Sequence, residues 1–532
     1  MSDAPSAGPA TTGRRWLSLA AICTAAGLVW LAFADLGVAI PTMAEDLHAD
    51  LSALQWANNA FSLVTGALVI AAGRFGDIFG RRRMLGLGIV LFSAFSVVAA
   101  LAPDVGLLIA GRGLMGIGAA LILPATLALI PAEFSGPAEL TAFGVWQAVA
   151  WGGQAIGPAI GGILTSGLGW QWLFWINVPL GVATYFLLRA STPESRDPEA
   201  SRRIDWLGLA TIGLAIFALL FALTDGPAVG WGDPLVVGLL IAFVALVLAW
   251  YAIERNARDP LVDLSLFRLR AYDGALTANL VMNLAFGGLS YLLVLWLQNV
   301  RGYGAVEAGL LMLPSTLGIF LFIPQGSRLE SRRGGRMPVL VGLLVLAAGL
   351  AVLGFLSADS TLWLLAAGLL VIGIGLGVLS TPISNTAVGD VPIDLAGSAA
   401  GVFKMSSMVG GALGVAVLSA LARGFSAGAT EDALRGAGLS AGDIETARNA
   451  LVGSASFQDA IAQLPAGLAR SVTSAVAAGF SNGIADALLV TAGIVLAALI
   501  VVRLLWPGRA HHDSAPEAGQ TVTTRKADER GR

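Results

Sequence analysis

Apolar runs of about 18 residues or more recur almost from one end of the chain to the other, separated by short polar breaks rich in Gly and Arg. A run of that length is predicted to cross a bilayer as a helix, because lipid cannot satisfy open backbone groups. Fourteen spans are expected, at 16–41, 53–73, 84–102, 105–130, 142–165, 172–190, 205–224, 234–253, 272–298, 306–324, 338–356, 362–382, 396–421 and 484–506. The first run carries "AFA" (Ala32 to Ala34), which looks like a small-residue cleavage site. The run is too long for a signal peptide and more spans follow it, so it is expected as an uncleaved first span. Segment 423–483 breaks the pattern, being rich in Ala, Gly and Ser. Within it "LSAGDIETARNALV" (439–452) places Ser440 as a cap before Ile444, Ala447 and Leu451 at helical spacing. A helical hairpin over the outer mouth is predicted there. The tails, about 1–13 and 510–532, are expected to be disordered.

Composition agrees with the pattern. Of 532 residues, 56% are hydrophobic and 12% charged, and the mean hydropathy is +0.79. A soluble protein carries about twice that charge fraction. The class is a polytopic, all-α membrane protein. The net charge of −3 says little; the distribution says more. Arg14 and Arg15 precede the first span, and Arg74, Arg81, Arg82 and Arg83 follow the second. Arg189, Arg196, Arg202 and Arg203 follow the sixth, Arg255, Arg258, Arg268 and Arg270 the eighth, and Arg328, Arg332, Arg333 and Arg336 the tenth. Short loops on the other side hold only Arg301. By the positive-inside rule both termini are cytoplasmic and the protein is multi-pass in the plasma membrane. Cys23 is the single cysteine, which excludes a disulfide framework and a cysteine metal cluster. The histidines, His48, His511 and His512, lie outside the spans. No metal-ligand set or nucleophile–base cluster occupies a span, so neither a metal nor an enzyme is expected. A phosphate-binding Gly-x4-Gly-Lys-Ser/Thr loop is not visible, so no cofactor and no ATP drive are expected. Nothing points to a nucleic-acid partner.

The loop "GRFGDIFGRRR" (73–83) sets Gly73, Asp77, Gly80 and Arg81 at fixed spacing, and "SRLESRRGGR" (327–336) echoes it after the tenth span. Glycines let two helix ends approach closely, and a carboxylate there can meet a helix N-terminus or an arginine. This loop resembles the signature of the major facilitator superfamily. "LIAGRGLMGIGAA" (108–120) is similar to the family's fourth-span motif, with Met115 where Gln is usual. "GGQAIGPAIGG" (152–162), with Gly153, Gly157, Pro158, Gly161 and Gly162, resembles the fifth-span motif of its antiporters. "WQWLFWINVPLG" (170–181) and "PLVDLSLFRLR" (260–270) resemble the fourteen-span drug:proton antiporter branch. The resemblance implies two pseudo-symmetric six-helix bundles around a cavity, with alternating access. The expected organisation is an N-terminal tail (1–15), a first bundle (16–190), two inserted helices with flanking loops (191–270), a second bundle (271–506) carrying the 423–483 loop, and a C-terminal tail (507–532).

The first span departs from the branch. Aligned on "AIP" (39–41), the usual Asp, Thr and Asn positions hold Ala32, Ala34 and Gly37, and Asp35 stands about one turn farther out. The proton site is either moved or lost. Charges within spans are costly and usually functional; the clear ones are Asp35, Arg112 and Lys404. Rise per residue places Asp35 roughly 9 Å and Arg112 roughly 10 Å below the outer edge, so a carboxylate–guanidinium pair coupled to protons is expected. Lys404, one of two lysines in the chain, lies on a stripe Gly397, Gly401, Lys404, Ser407, Gly411 that faces protein or water. Asn279 and Asn283 fall at similar depth, and Gln147, Gln154, Trp146 and Trp151 are expected across the cavity. The expected function is proton-coupled export of small amphipathic compounds by a monomer. A dedicated exporter of one metabolite or lipid is the runner-up, and a non-transporting sensor is the alternative from another class.

Overall fold

The computed structural model of the chain describes residues 12–49, 51–196, 205–257, 261–436 and 466–506, and among these all regular structure is helical. In chain order the helices are α1 (Thr12–Ala34), α2 (Leu36–Asp46), α3 (Leu51–Phe79), α4 (Arg81–Ala100), α5 (Val105–Glu133), α6 (Pro137–Leu168), α7 (Trp172–Trp175), α8 (Asn177–Ser191), α9 (Trp206–Val229) and α10 (Pro234–Asn256). They continue as α11 (Arg270–Asn299), α12 (Ala305–Leu311), α13 (Leu313–Arg333), α14 (Arg336–Leu353), α15 (Leu362–Ser384), α16 (Ala396–Gly436) and α17 (Ala466–Leu505). Thirteen described segments are long and apolar enough to cross a membrane. The remaining expected span, 142–165, lies inside α6, which is 32 residues long. Its Gly, Gln and Trp residues keep it below that apolar threshold.

Two expectations change. The first span is interrupted at Asp35, between α1 and α2, as a bend and not a full break: Asp35 keeps helical dihedrals (φ −79°, ψ −31°) and its N–H donates to the Leu31 carbonyl at 3.0 Å. Polar groups and close backbone contacts from other helices converge on that joint, and the local sequence does not encode them. Second, the last two spans are much longer than their apolar runs, because α16 and α17 extend past the membrane-length segment. Segment 423–483 is therefore entered and left by continuous helix. Its centre, 437–465, with the proposed helix 439–452, lies outside the described residues, as do most of both tails. A π-helical turn, Asn385–Gly389, follows α15.

Packing sorts the helices. α5 lies against α3 and α4, and α1 against α6 and α8; α15 lies against α13 and α14, and α16 against α11 and α17. The two groups meet along two seams, α3 with α16 and α6 with α13 and α15. Helix α9 packs on both α3 and α16, covering one seam, and pairs with α10, whose apolar surface is almost all exposed. Small residues permit the seams. Gly73 and Gly401 bring the α3 and α16 backbones together: a methyl on Gly401 would lie 2.9 Å from the Val69 carbonyl oxygen. On α6, methyls on Gly157 and Gly161 would lie 2.6 Å from the Ala34 side chain and 2.6 Å from the Asp35 carbonyl oxygen.

Candidate functional site

A cavity of about 760 Å³ lies between the two groups. Its wall includes Lys404, Asn279, Asn283, Gln147, Gln154 and Trp151, whereas Trp146, expected beside them, is fully buried and does not line it. α3 contributes Gln55, Asn58, Asn59 and Ser62, which the sequence reading did not single out. Helix α9 adds Leu220, Leu223 and Thr224. Among the described residues, the charged ones of the wall are Lys404 and Arg423, and no carboxylate lines it. The floor is tied across the seam by Gln147, whose Nε2 donates to the Ser380 carbonyl at 3.1 Å. Asn279 Nδ2 donates to the Phe403 carbonyl at 3.0 Å and reaches the Ser406 and Ser407 hydroxyls at 2.8 Å each. Asn283 in turn donates to the Asn279 carbonyl at 2.8 Å.

Lys404 is 4% exposed. Its ammonium sits over the faces of Trp146 at 4.4 Å, Phe403 at 5.2 Å and Trp30 at 5.4 Å. The aromatic faces offset part of the desolvation cost of a buried cation. Among the described residues no carboxylate pairs with it. The indole nitrogens of Trp30 and Trp146 are buried and donate to no protein acceptor.

Asp35 and Arg112 are both buried, but they form no ion pair within 4.0 Å. This corrects the expected direct pair. Arg112 donates to the Ala32 carbonyl at 3.0 Å, to Asn58 Oδ1 at 3.0 Å and to the Ala57 carbonyl at 3.4 Å, and its guanidinium lies 4.4 Å over the Phe61 ring. Equal depth brings the two charges near enough to interact electrostatically but not into contact, because α3 residues occupy the space beside the guanidinium. The arginine thus holds a backbone carbonyl one turn before Asp35, and its partner Asn58 lines the cavity. Asp35 itself does not line it.

At the Arg-rich end both seams are shut. Asp77, fully buried, accepts from Gly397 N at 3.0 Å, Ser398 N at 2.8 Å and Ser398 Oγ at 3.1 Å, at the start of α16. It also pairs with Arg81 at 2.8 Å, and Arg81 reaches the Ile393 carbonyl across the seam. The carboxylate therefore meets both candidate partners, a helix N-terminus and an arginine. Gly80 sits at φ 108°, where L side chains rarely go. A methyl there would also lie 2.6 Å from Glu194. Glu194 accepts from Arg82 N at 3.0 Å and pairs with Arg83 at 3.5 Å. Its contact with the 80–83 loop is long-range, and the sequence reading missed it.

The model of the Major Facilitator Superfamily matches residues 17–415. The chain belongs to the Major Facilitator Superfamily. It is a membrane transporter, not an enzyme. The transporter is 33% identical over 410 residues to the tetracenomycin C resistance and export protein of Streptomyces glaucescens, covering 77% of this chain and 76% of the relative. It is 35% identical over 419 residues to a puromycin resistance protein of Streptomyces alboniger, covering 78% and 83%. It is 32% identical over 407 residues to the multidrug resistance protein Stp of Mycobacterium tuberculosis, covering 76% and 75%. In fold it is similar to the human organic anion transporter MFSD10, with a TM-score of 0.59, 16% identity and coverage of 92% of this chain and 99% of that one.

Proposed function

We propose that the transporter exports small amphipathic compounds across the plasma membrane in exchange for protons, by alternating access. The observation that carries this reading is the central cavity: mixed aromatic and amide walls, a lone ammonium at the floor, and closure at the Arg-rich end. Names of the relatives, which are resistance and export proteins, support the direction of transport.

The Arg-rich end is cytoplasmic in this reading, with both termini on that side. The cavity wall runs outward from Lys404 to Arg423 on α16 and from Leu63 to Gln55 on α3, away from the sealed end. The conformation is then outward-facing. Aromatic faces and amides receive the body of a guest. Lys404, with the unpartnered indoles of Trp30 and Trp146 beside it, attracts an acidic or phosphate group. Asp35 carries the coupling proton: it is buried at the joint between α1 and α2, and protonation neutralises it there. Arg112 links it to the cavity through the Ala32 carbonyl and Asn58. The glycine face of α6, at Gly153, Gly157 and Gly161, bears on this joint, and Pro158 removes one helix donor beside it. Asp77, Arg81, Gly73 and Gly80 govern closure of the cytoplasmic end. The cavity and both seams form within one chain, which supports a monomer as the transport unit.

Proton flux in proteoliposomes, recorded as a panel of compounds graded in charge is added, tests this. Substrate-driven proton release is expected. Export without proton movement would overturn the antiport, and no movement of any compound would overturn export.

A further inference from the structure

The two seams of the Arg-rich end are closed by different chemistry. At α3–α16 the carboxylate of Asp77 meets only donors. At α6–α13 two carboxylates from opposite groups of helices approach one amide. Glu330, near the end of α13, is 6% exposed; its Oε1 accepts from Asn385 Nδ2 at 3.0 Å, and its Oε2 has no partner. Asn385 opens the π-helical turn. Its Oδ1 lies 2.5 Å from the point that a methyl on Gly389 would occupy, and Glu139 Oε1, from the first turn of α6, lies 2.5 Å from the same point. The two oxygens therefore lie within about 5 Å of each other and both are acceptors, while Glu139 Oε1 is buried with no donor. Thr386, 3% exposed, has its hydroxyl unpartnered, and that hydroxyl and Glu330 Oε1 both face Gly335.

We propose that Glu139 and Glu330 bind one proton between them, through Asn385, and that this proton latches α6 to α13 and the turn after α15. With Glu139 protonated, its hydroxyl donates to Asn385 Oδ1, whose Nδ2 donates to Glu330 Oε1. Each acceptor on that line then has a donor. Without the proton, the buried Glu330 and the half-buried Glu139 are both charged, and their repulsion favours opening. The surroundings do not supply a compensating cation. Asp390, exposed after the π-turn, adds an acid near both glutamates. From α14, Arg336 gives its Nη2 to the Arg503 carbonyl at 2.7 Å. Arg328, Arg332 and Arg333 of α13 are exposed, and no described arginine pairs with either glutamate. Among the described residues no group of three or more His, Cys, Asp or Glu is placed to hold a metal ion.

The inference rests on the alternating-access reading, yet its readout needs no substrate, so latch and export can fail separately. Spin labels at Ser135→Cys and Arg332→Cys, in a Cys23→Ala background, report the width of this seam in nanodiscs. Acidification is expected to raise the closed-to-open ratio, by up to about tenfold per pH unit for one proton. In Glu139→Gln the side-chain amide donates permanently to Asn385, so the seam is expected to stay closed with its pH slope lost. Glu330→Gln is the second variant and should flatten the slope as well. Asn385→Leu removes the bridge and should leave the seam open across the range. A wild-type slope in both glutamine variants, or normal closure in Asn385→Leu, would overturn the proposal.

Discussion

Asp77→Asn is expected to release the α3–α16 seam while leaving the helices inserted. The asparagine oxygen can keep the Oδ1 partners, Gly397 N at 3.0 Å and Arg81 Nη2 at 2.8 Å. Its amide nitrogen then replaces Oδ2 and faces Ser398 N, a donor that had been bonded at 2.8 Å. The Ser398 hydroxyl can turn to accept, so one backbone N–H is stranded. A bond to a charged acceptor contributes about 1.5–3 kcal/mol, and a stranded buried donor costs about 1–3 kcal/mol. The pairing of Asp77 with Arg81 lies within one stretch of chain and is kept whether the seam is open or shut. The part that differs between the two states is therefore about 2–4 kcal/mol. That shifts the closed-to-open ratio by about thirty-fold to several hundred-fold. Spin labels at Phe79→Cys and Asp394→Cys, both exposed, span the seam. A broadened, longer distance distribution and a strong fall in transport are expected. A monodisperse Asp77→Asn protein with the wild-type distribution and normal transport would refute the reasoning.

Other substitutions separate the remaining roles. Lys404→Gln should weaken anionic and zwitterionic substrates and spare neutral ones of the same shape; equal loss across the series, with a lower melting temperature, would make Lys404 structural. Asp35→Asn should abolish substrate-driven proton release yet leave part of substrate binding, and pH-gradient-driven transport that persists in it would place coupling elsewhere. Gly161→Ala puts a methyl 2.6 Å from the Asp35 carbonyl oxygen and should cost about 1–3 kcal/mol, read as a lower melting temperature. Gly162→Ala meets Val38 at 3.6 Å, an ordinary contact, and should melt as wild type; equal effects of the two would count against close packing at the joint.

Hydropathy made the spans legible because lipid imposes one rule on every one of them. Lys404 was legible for the same reason: a lysine in an apolar run has to face protein or water, and it does face the cavity. Asp77 could be read from its glycine and arginine neighbours. The bend at Asp35 could not. "LAFADLG" reads as continuous helix, and the joint is met from outside, by Arg112 on the Ala32 carbonyl and by α6 on the Asp35 carbonyl. Depth along a helix axis follows from rise per residue; position around the axis and lateral distance do not. Arithmetic of that kind set Asp35 level with Arg112 but did not place Asn58 and Phe61 beside the guanidinium. The clasp of Glu194 on the 80–83 loop joins residues more than a hundred positions apart, and no local pattern announces it.

The low hydropathy of α6 bears on how the chain enters the membrane during synthesis. Insertion machinery sorts each emerging segment by its partition between water and lipid. Thirteen described segments pass such a test by composition, and α6 falls short of the same threshold. Its glutamines and glycines serve the cavity wall and the face against α1, so they are unfavourable when the segment first meets lipid alone. A marginal segment of this kind depends on neighbours already in place. α1 precedes α6 in the chain and packs against it, so biogenesis and transport place opposing demands on the same residues. Substitutions that make α6 more apolar would ease its insertion and erode the wall it supplies.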